Sequence, residues 1–101
     1  MSNAISSSNA AVPVAAYSQA VEAGDLVFVS GQIPLNPETG ELVAETIEAA
    51  TSQSLRNVTR VLEAAGLGLE HVVKATVFLI ESGDYTGMDA TYRTTLPEPF
   101  P

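Results

Sequence analysis

The feature that most constrains this chain is an apolar run that ends abruptly in small polar residues, at positions 26–42, LVFVSGQIPLNPETGEL. Residues 26–29 carry the β-branched and aromatic side chains that fit a pleated surface, so they predict a β-strand. Gly31 permits a bulge or the close approach of a ligand to the backbone, and Pro34 ends strand pairing because it lacks an N–H. The residue types alone favour a bulged strand end over the wall of a pocket.

The segment before this run predicts a β-hairpin. Residues 18–23 are expected to pair with residues 26–30, because the two-residue loop between the strands begins with glycine, which is typical of a type II′ turn. Tyr17 would then lie roughly opposite Ser30 and Gly31. Local pairing would thus bring a phenol and a hydroxyl to the same end of the sheet. An aromatic residue beside a strand usually packs, so this placement alone does not establish a binding role.

The rest of the chain predicts two helices and a further strand. Residues 46–65 carry an apolar stripe at helical spacing, with Thr46 as a suitable N-cap and Gly66 suited to the αL position just past the end. Residues 82–96 form a second amphipathic segment. Residues 72–80 are apolar on both faces except at Lys74, which is typical of a central strand covered on each side. The order hairpin, helix, strand, helix predicts an α+β fold in which two helices pack on one face of a mostly antiparallel sheet.

Two arginines of the first helix and the single histidine are predicted to be surface residues. Arg56 and Arg60 are four residues apart on the polar side of the helix, where a solvated face is favoured over a phosphate site. His71 lies in the turn before the predicted strand. A lone loop histidine without a nearby second ligand or acidic partner is typical of a polar surface position.

Composition and charge limit the function classes. The 101 residues suit one domain, and that domain is marginal as an isolated unit. A net charge of −8 repels nucleic acid phosphates, so we do not expect a nucleic acid partner. The absence of cysteine excludes a disulfide framework and thiolate catalysis. The sequence shows neither an apolar run of ~20 residues nor a signal peptide, so we expect a cytoplasmic protein that does not enter membranes.

A set of motifs extends over most of the chain: YSQAV at 17–21, VFVSGQIP at 27–34, TGEL at 39–42, Asn57, VLEAAG at 61–66, VVKATVFL at 72–79 and MDATY at 88–92. In order and spacing these motifs resemble the reactive intermediate deaminase family, called RidA or YjgF and in older usage L-PSP endoribonuclease. The resemblance covers residues 17–101, which we interpret as a RidA-like domain. Residues 1–16 are then an N-terminal tail or a short edge strand.

The resemblance implies a chorismate-mutase-like fold and a homotrimer with pockets between subunits. It implies hydrolysis of reactive enamines and imines, such as 2-aminoacrylate, to 2-keto acids and ammonia, with no metal or organic cofactor. It marks Tyr17 and Ser30 as catalytic and Gly31 and Asp89 as substrate-binding; position 89 is commonly asparagine in the family. Asn57 also matches and is predicted to be structural.

The family's carboxylate-binding arginine follows a Phe-Pro-Ala sequence, whereas this chain ends at Phe100-Pro101. We therefore expect a C-terminally incomplete member that lacks two strands and in which deaminase activity is impaired. No cation of the chain is an obvious substitute for the arginine; the four are Arg56, Arg60, Lys74 and Arg93.

Two alternatives to the deaminase stay open. The first is a non-catalytic protein that binds a small carboxylate or serves in assembly. The second is an endoribonuclease, which ranks last because one histidine and a negative field do not suit phosphodiester cleavage.

Overall fold

Three strands and two helices make up the regular structure of the computed structural model, which describes residues 2–101. They are β1 (Ser2–Ile5), β2 (Ala20–Ala23), β3 (Leu26–Val29), α1 (Ile47–Ala64) and α2 (Tyr85–Thr95), with short 3₁₀ helices at Leu69–His71 and Ser82–Asp84. The strands form one antiparallel sheet in the order β1-β2-β3. The two helices pack on each other, and α1 also contacts β3. The predicted α+β fold, with two helices against an antiparallel sheet, is confirmed.

The predicted hairpin is also present, with Ala20 opposite Val29 and Ala23 opposite Leu26. The turn begins at Gly24 with φ of +59°, and no residue other than glycine between positions 2 and 101 has positive φ. These signs agree with a type II′ turn and exclude type I′, which needs two positive φ values. A hydrogen bond of 3.0 Å from the Ser30 N–H to the Gln19 carbonyl extends the pairing toward Tyr17.

Helix α1 begins and ends at the predicted caps. The Thr46 hydroxyl accepts a 3.0 Å hydrogen bond from the Ala49 N–H at its start. At its end Gly66 has φ of +74°, and the N–H of Leu67 donates to the carbonyl of Leu62 at 2.9 Å, as in a Schellman motif. Neither α1 nor any other helix in the described chain is long and apolar enough to cross a membrane.

Replacing Gly66 by alanine is expected to lower the free energy of unfolding by about 1 kcal/mol, because an L side chain is strained at positive φ. An added Cβ at Gly66 meets no heavy atom within 4 Å, so the cost comes from the backbone alone. Gly83→Ala is the matched control, since its site is equally open and its φ is not in the strained range. Urea unfolding at one protein concentration measures both; equal effects would contradict the assignment.

The prediction of a central strand at residues 72–80 was wrong for the chain as described. Apart from the N–H of Val72, which closes the preceding 3₁₀ helix, these residues form no backbone hydrogen bond with any part of residues 2–101. The side chains of this segment still alternate between two sides: Ala75, Val77 and Leu79 line a cavity beside α2, whereas the side chain of Phe78 is exposed. The physical reason is that a strand needs a neighbour to accept its ladder, and hydrophobicity alone does not supply one.

The N-terminal segment reaches the core through Gln19. Its buried side-chain amide accepts from the Ser7 N–H and donates to the carbonyls of Ser7 and Ala11, at 3.2 and 2.8 Å. Between these anchors Ala10 enters the buried cluster with Ala20 and Val61. The loop that leads to Tyr17 is therefore held by hydrogen bonds to the strand that follows it.

Candidate functional site

Ser30 and Tyr17 present complementary hydroxyl groups at the open end of the hairpin. The Ser30 hydroxyl donates a 2.6 Å hydrogen bond to the Ser18 carbonyl, which uses its proton and leaves the oxygen able to accept. The Tyr17 hydroxyl accepts a long hydrogen bond of 3.4 Å from the Val14 N–H, so its proton is free to donate. The side chain of Tyr17 is exposed and that of Ser30 is half-buried. One acceptor and one donor are therefore accessible here.

Gly31 adds a second donor. It is exposed, a Cβ at this position would meet no heavy atom within 4 Å, and its N–H has no partner among residues 2–101. The side-chain amide of Gln32 donates to the Ser30 carbonyl at 3.1 Å and braces the backbone on either side of Gly31. Oxygen atoms of a small anion can approach this N–H without displacing a protein group.

Asn57 holds the segment that continues from Gly31 onto helix α1. Its Nδ2 atom donates to the carbonyls of Ile33 and Leu35 at 3.1 and 2.9 Å. Its Oδ1 atom accepts from Gln53 Nε2 at 3.1 Å, and Asn57 is fully buried. Since every polar atom of the side chain is used within the chain, the predicted structural role of Asn57 is confirmed.

Asp89 lies elsewhere in the single chain. It lines a cavity of about 400 Å³ between residues 75–79, α2 and the C-terminal residues, and the lining of that cavity does not include Tyr17, Ser30 or Gly31. Tyr17, Ser30 and Gly31 therefore belong to the end of the hairpin, whereas Asp89 lines a separate cavity of the single chain. Asp89 joins them only if another copy of the chain supplies it.

Arg93 neutralises the carboxylate of Asp89. Its Nε donates to Oδ2 of Asp89 at 2.7 Å, one helical turn away, and this hydrogen bond together with the charge of Asp89 raises the pKa of Arg93. The guanidinium also lies 5.9 Å from the ring centre of Phe100. Burial raises the pKa of Tyr92, whose hydroxyl donates to the Pro101 carbonyl at 2.9 Å. These contacts fix the last two residues against α2.

Two buried glutamines were not anticipated as structural residues. Gln19 belongs to a quoted motif, yet nothing in its local pattern indicates that it bonds to Ser7 and Ala11. Gln53 lies four residues before Asn57, and this helical spacing, which places two amides on one face, is the signal that could have identified it. His71 is exposed as predicted, and its Nδ1 atom accepts from the Gly68 N–H at 3.0 Å.

Comparison with known proteins shows which family and which curated protein this chain is similar to. Residues 7–101 match the family described as Endoribonuclease L-PSP. The 2-iminobutanoate/2-iminopropanoate deaminase of Escherichia coli (strain K12) is 42% identical over 98 residues, which are 97% of this chain and 76% of the relative.

Solved structures of similar fold come from proteins of the same kind. RidA from the Antarctic bacterium Psychrobacter sp. PAMC 21119 superimposes with a TM-score of 0.93 at 37% identity, over 98% of this chain and 80% of that one. The E. coli protein TdcF with bound serine superimposes with a TM-score of 0.87 at 35% identity, over 91% of this chain and 72% of that one.

Proposed function

This chain belongs to the Endoribonuclease L-PSP family, which includes RidA and YjgF proteins, and from that premise we propose that it hydrolyses small enamines and imines to 2-keto acids and ammonia. The observation that carries the proposal is 42% identity with the E. coli 2-iminobutanoate/2-iminopropanoate deaminase over 97% of the chain. The accessible donors and acceptor at the end of the hairpin support it.

The reaction needs positioning more than reactive side chains. Water adds to the C=N carbon of 2-iminopropanoate, forming a C–O bond while the C–N double bond becomes single. The adduct then expels its nitrogen as ammonia and leaves pyruvate, so imine plus water equals keto acid plus ammonia. Protonated imine nitrogen is the species that water attacks most readily, and an accepting oxygen beside it stabilises that form.

The residues of the hairpin end take separate roles. The oxygen of Ser30 accepts from the imine N–H, since its own proton is engaged with Ser18. The Tyr17 hydroxyl and the Gly31 N–H donate to the substrate carboxylate. Both groups are neutral and the chain carries a net charge of −8, so we expect a Michaelis constant in the millimolar range.

Ser30→Ala and Tyr17→Phe are each expected to lower turnover of freshly generated 2-aminoacrylate about tenfold, because each removes one orienting hydrogen bond. Pyruvate formation is measured above the spontaneous rate, with the E. coli deaminase as the positive control. Ser18→Ala is the matched control, since the hydroxyl of Ser18 makes no hydrogen bond among residues 2–101 while its carbonyl is retained. Turnover unaffected by the first two changes would reject both roles.

A non-catalytic binding protein is the second candidate, and the related TdcF with bound serine favours it. Calorimetric titration with pyruvate and 2-ketobutyrate separates the candidates when combined with the turnover assay. Saturable binding without turnover would favour the binding protein, whereas binding with turnover supports the deaminase.

Endonuclease activity is not proposed, although the family description carries that name. The single histidine of the chain is exposed and has one ring nitrogen engaged with the Gly68 N–H. Phosphodiester cleavage by acid and base needs a second titratable partner, and the net charge opposes RNA.

The proposal includes a homotrimer in the cytoplasm. Phe78 and Ile80 are 91% and 100% exposed, and a soluble protein normally buries neighbouring apolar side chains of this size. A closed symmetric assembly buries such a surface and also lets Asp89 of one subunit approach the hairpin end of another.

A further inference from the structure

A second cavity, separate from the hairpin end, lies between α1 and two loops that precede it in sequence, at residues 8–9 and 36–38. Its volume is about 190 Å³, and its lining does not include Tyr17, Ser30, Gly31 or Asp89. The lining is polar and combines cationic, amide and carboxylate side chains. This composition differs from an apolar packing defect and is that of a site for a small polar ligand.

Two of the four cationic side chains of the protein line this cavity, Arg56 and Arg60. They are one helical turn apart, which places them on the same face of α1. Arg56 forms no ion pair within the described chain, and the Nε of Arg60 is 4.0 Å from Glu63 in an exposed, marginal pair. Half of the positive charge of a strongly acidic protein therefore meets at one cavity without strong neutralisation.

Asn36 contributes a further donor to the cavity lining. Its Oδ1 atom accepts from the backbone N–H groups of Glu38 and Thr39 at 2.9 and 3.3 Å. Its Nδ2 atom has no partner among residues 2–101 and can donate to a ligand. The cavity therefore offers an amide donor in addition to two guanidinium groups.

Gln53 contributes an acceptor from the buried side of the cavity. Its side chain is only 6% exposed, and its Nε2 atom donates to Asn57. Its Oε1 atom accepts no hydrogen bond within residues 2–101. In that part of the chain, every fully buried side-chain nitrogen or oxygen atom has a hydrogen-bond partner, so Oε1 is not fully buried. Oε1 is therefore accessible to solvent, and the cavity that Gln53 lines is where a ligand would reach it.

We propose that this cavity binds a small oxyanion that also carries a hydroxyl proton, with hydrogen phosphate as the simplest case. Its oxygen atoms accept from Arg56, Arg60 and the Asn36 amide, and its O–H donates to Gln53 Oε1. Arginine suits this task because its fork of N–H groups matches tetrahedral oxyanions. The exposed carboxylate of Glu38 also lines the cavity and opposes binding, so affinity is expected in the millimolar range.

The test is a titration of the full chain with phosphate at constant ionic strength. Binding is monitored through the side-chain NMR signals of the arginines and of Gln53. Sulfate is the matched ligand, because it has the same shape and charge but no hydroxyl proton. We expect saturable shifts with phosphate and at least threefold weaker binding of sulfate. Equal affinities for the two anions, or no saturable shift, would overturn the proposal.

Four substitutions, one of them a control, test the location of the site. Arg56→Gln and Arg60→Gln are each expected to weaken phosphate binding at least fivefold, and Glu38→Gln to strengthen it about twofold. Lys74→Gln removes the same charge as the arginine variants at a residue outside the cavity lining and should change affinity less than twofold. If it weakens binding as much as the arginine variants do, the effect is one of net charge and the site is rejected.

Discussion

Replacing Asn57 by alanine is expected to lower the free energy of unfolding by about 3 kcal/mol. The change leaves the carbonyls of Ile33 and Leu35 without their donor and removes the acceptor of the Gln53 amide. All three bonds meet at a fully buried side chain, where a polar group left unpaired costs more than it does in solvent. A cavity left by the lost side-chain atoms adds to the cost.

The measurement is urea unfolding followed by far-ultraviolet circular dichroism, at one protein concentration because assembly contributes to apparent stability. Thr59→Ala is the matched control, two residues along the same helix. The Thr59 hydroxyl donates only to the Leu55 carbonyl within α1, at 2.9 Å, so its loss should cost less than about 0.5 kcal/mol. An Asn57→Ala variant as stable as the control would show that these hydrogen bonds contribute nothing net.

Phe78→Glu is expected to convert an oligomer into a monomer. The Phe78 ring is almost fully exposed in the single chain, on the side of the extended segment away from the cavity beside α2. If a neighbouring copy buries the ring, a carboxylate at this position must be desolvated without a partner, which costs several kcal/mol per interface. Because the side chain at position 78 is almost fully exposed in the single chain, the fold itself should persist.

Light scattering coupled to gel filtration decides this prediction. The parent chain should have roughly three times its monomer mass of 10.5 kDa, and Phe78→Glu should approach the monomer value. Val12→Glu introduces the same charge at an exposed apolar residue of the N-terminal loop and should keep the parent mass. A parent chain that is a folded monomer at micromolar concentration would reject the trimer and the shared site between subunits.

The candidate site depends on both local and distant structure. Tyr17, Ser30 and Gly31 belong to the same end of the hairpin because a short hairpin with a glycine-led turn specifies its own register, which local sequence predicts. The direction of the hydroxyl protons is different, since it depends on carbonyl groups that the backbone presents only after folding. That Ser30 donates to Ser18 and is left with a free acceptor could not be inferred from residue types.

The surroundings of the two arginines of α1 also could not be inferred from residue types. Helical spacing correctly places Arg56 and Arg60 on one face, and their polar surroundings in sequence favoured a solvated surface. Whether that face borders open solvent or a cavity depends on where loop residues such as Asn36 come to lie. The spacing of charged residues predicts which residues share a face of a helix, but it does not predict which other segments pack against that face.

The sequence by itself determined the caps and length of α1, the hairpin and its turn, and the α+β class, because each follows from interactions within a few residues or from one period of hydrophobicity. Only the tertiary structure decided the roles of Gln19 and Gln53, whose partners or accessible atoms depend on the packing of other segments. It also decided the state of residues 72–80, where an apolar pattern typical of a central strand has no neighbour in the described chain to complete its ladder. Local propensity is encoded residue by residue, whereas burial and strand pairing are properties of two surfaces that the chain must first bring together.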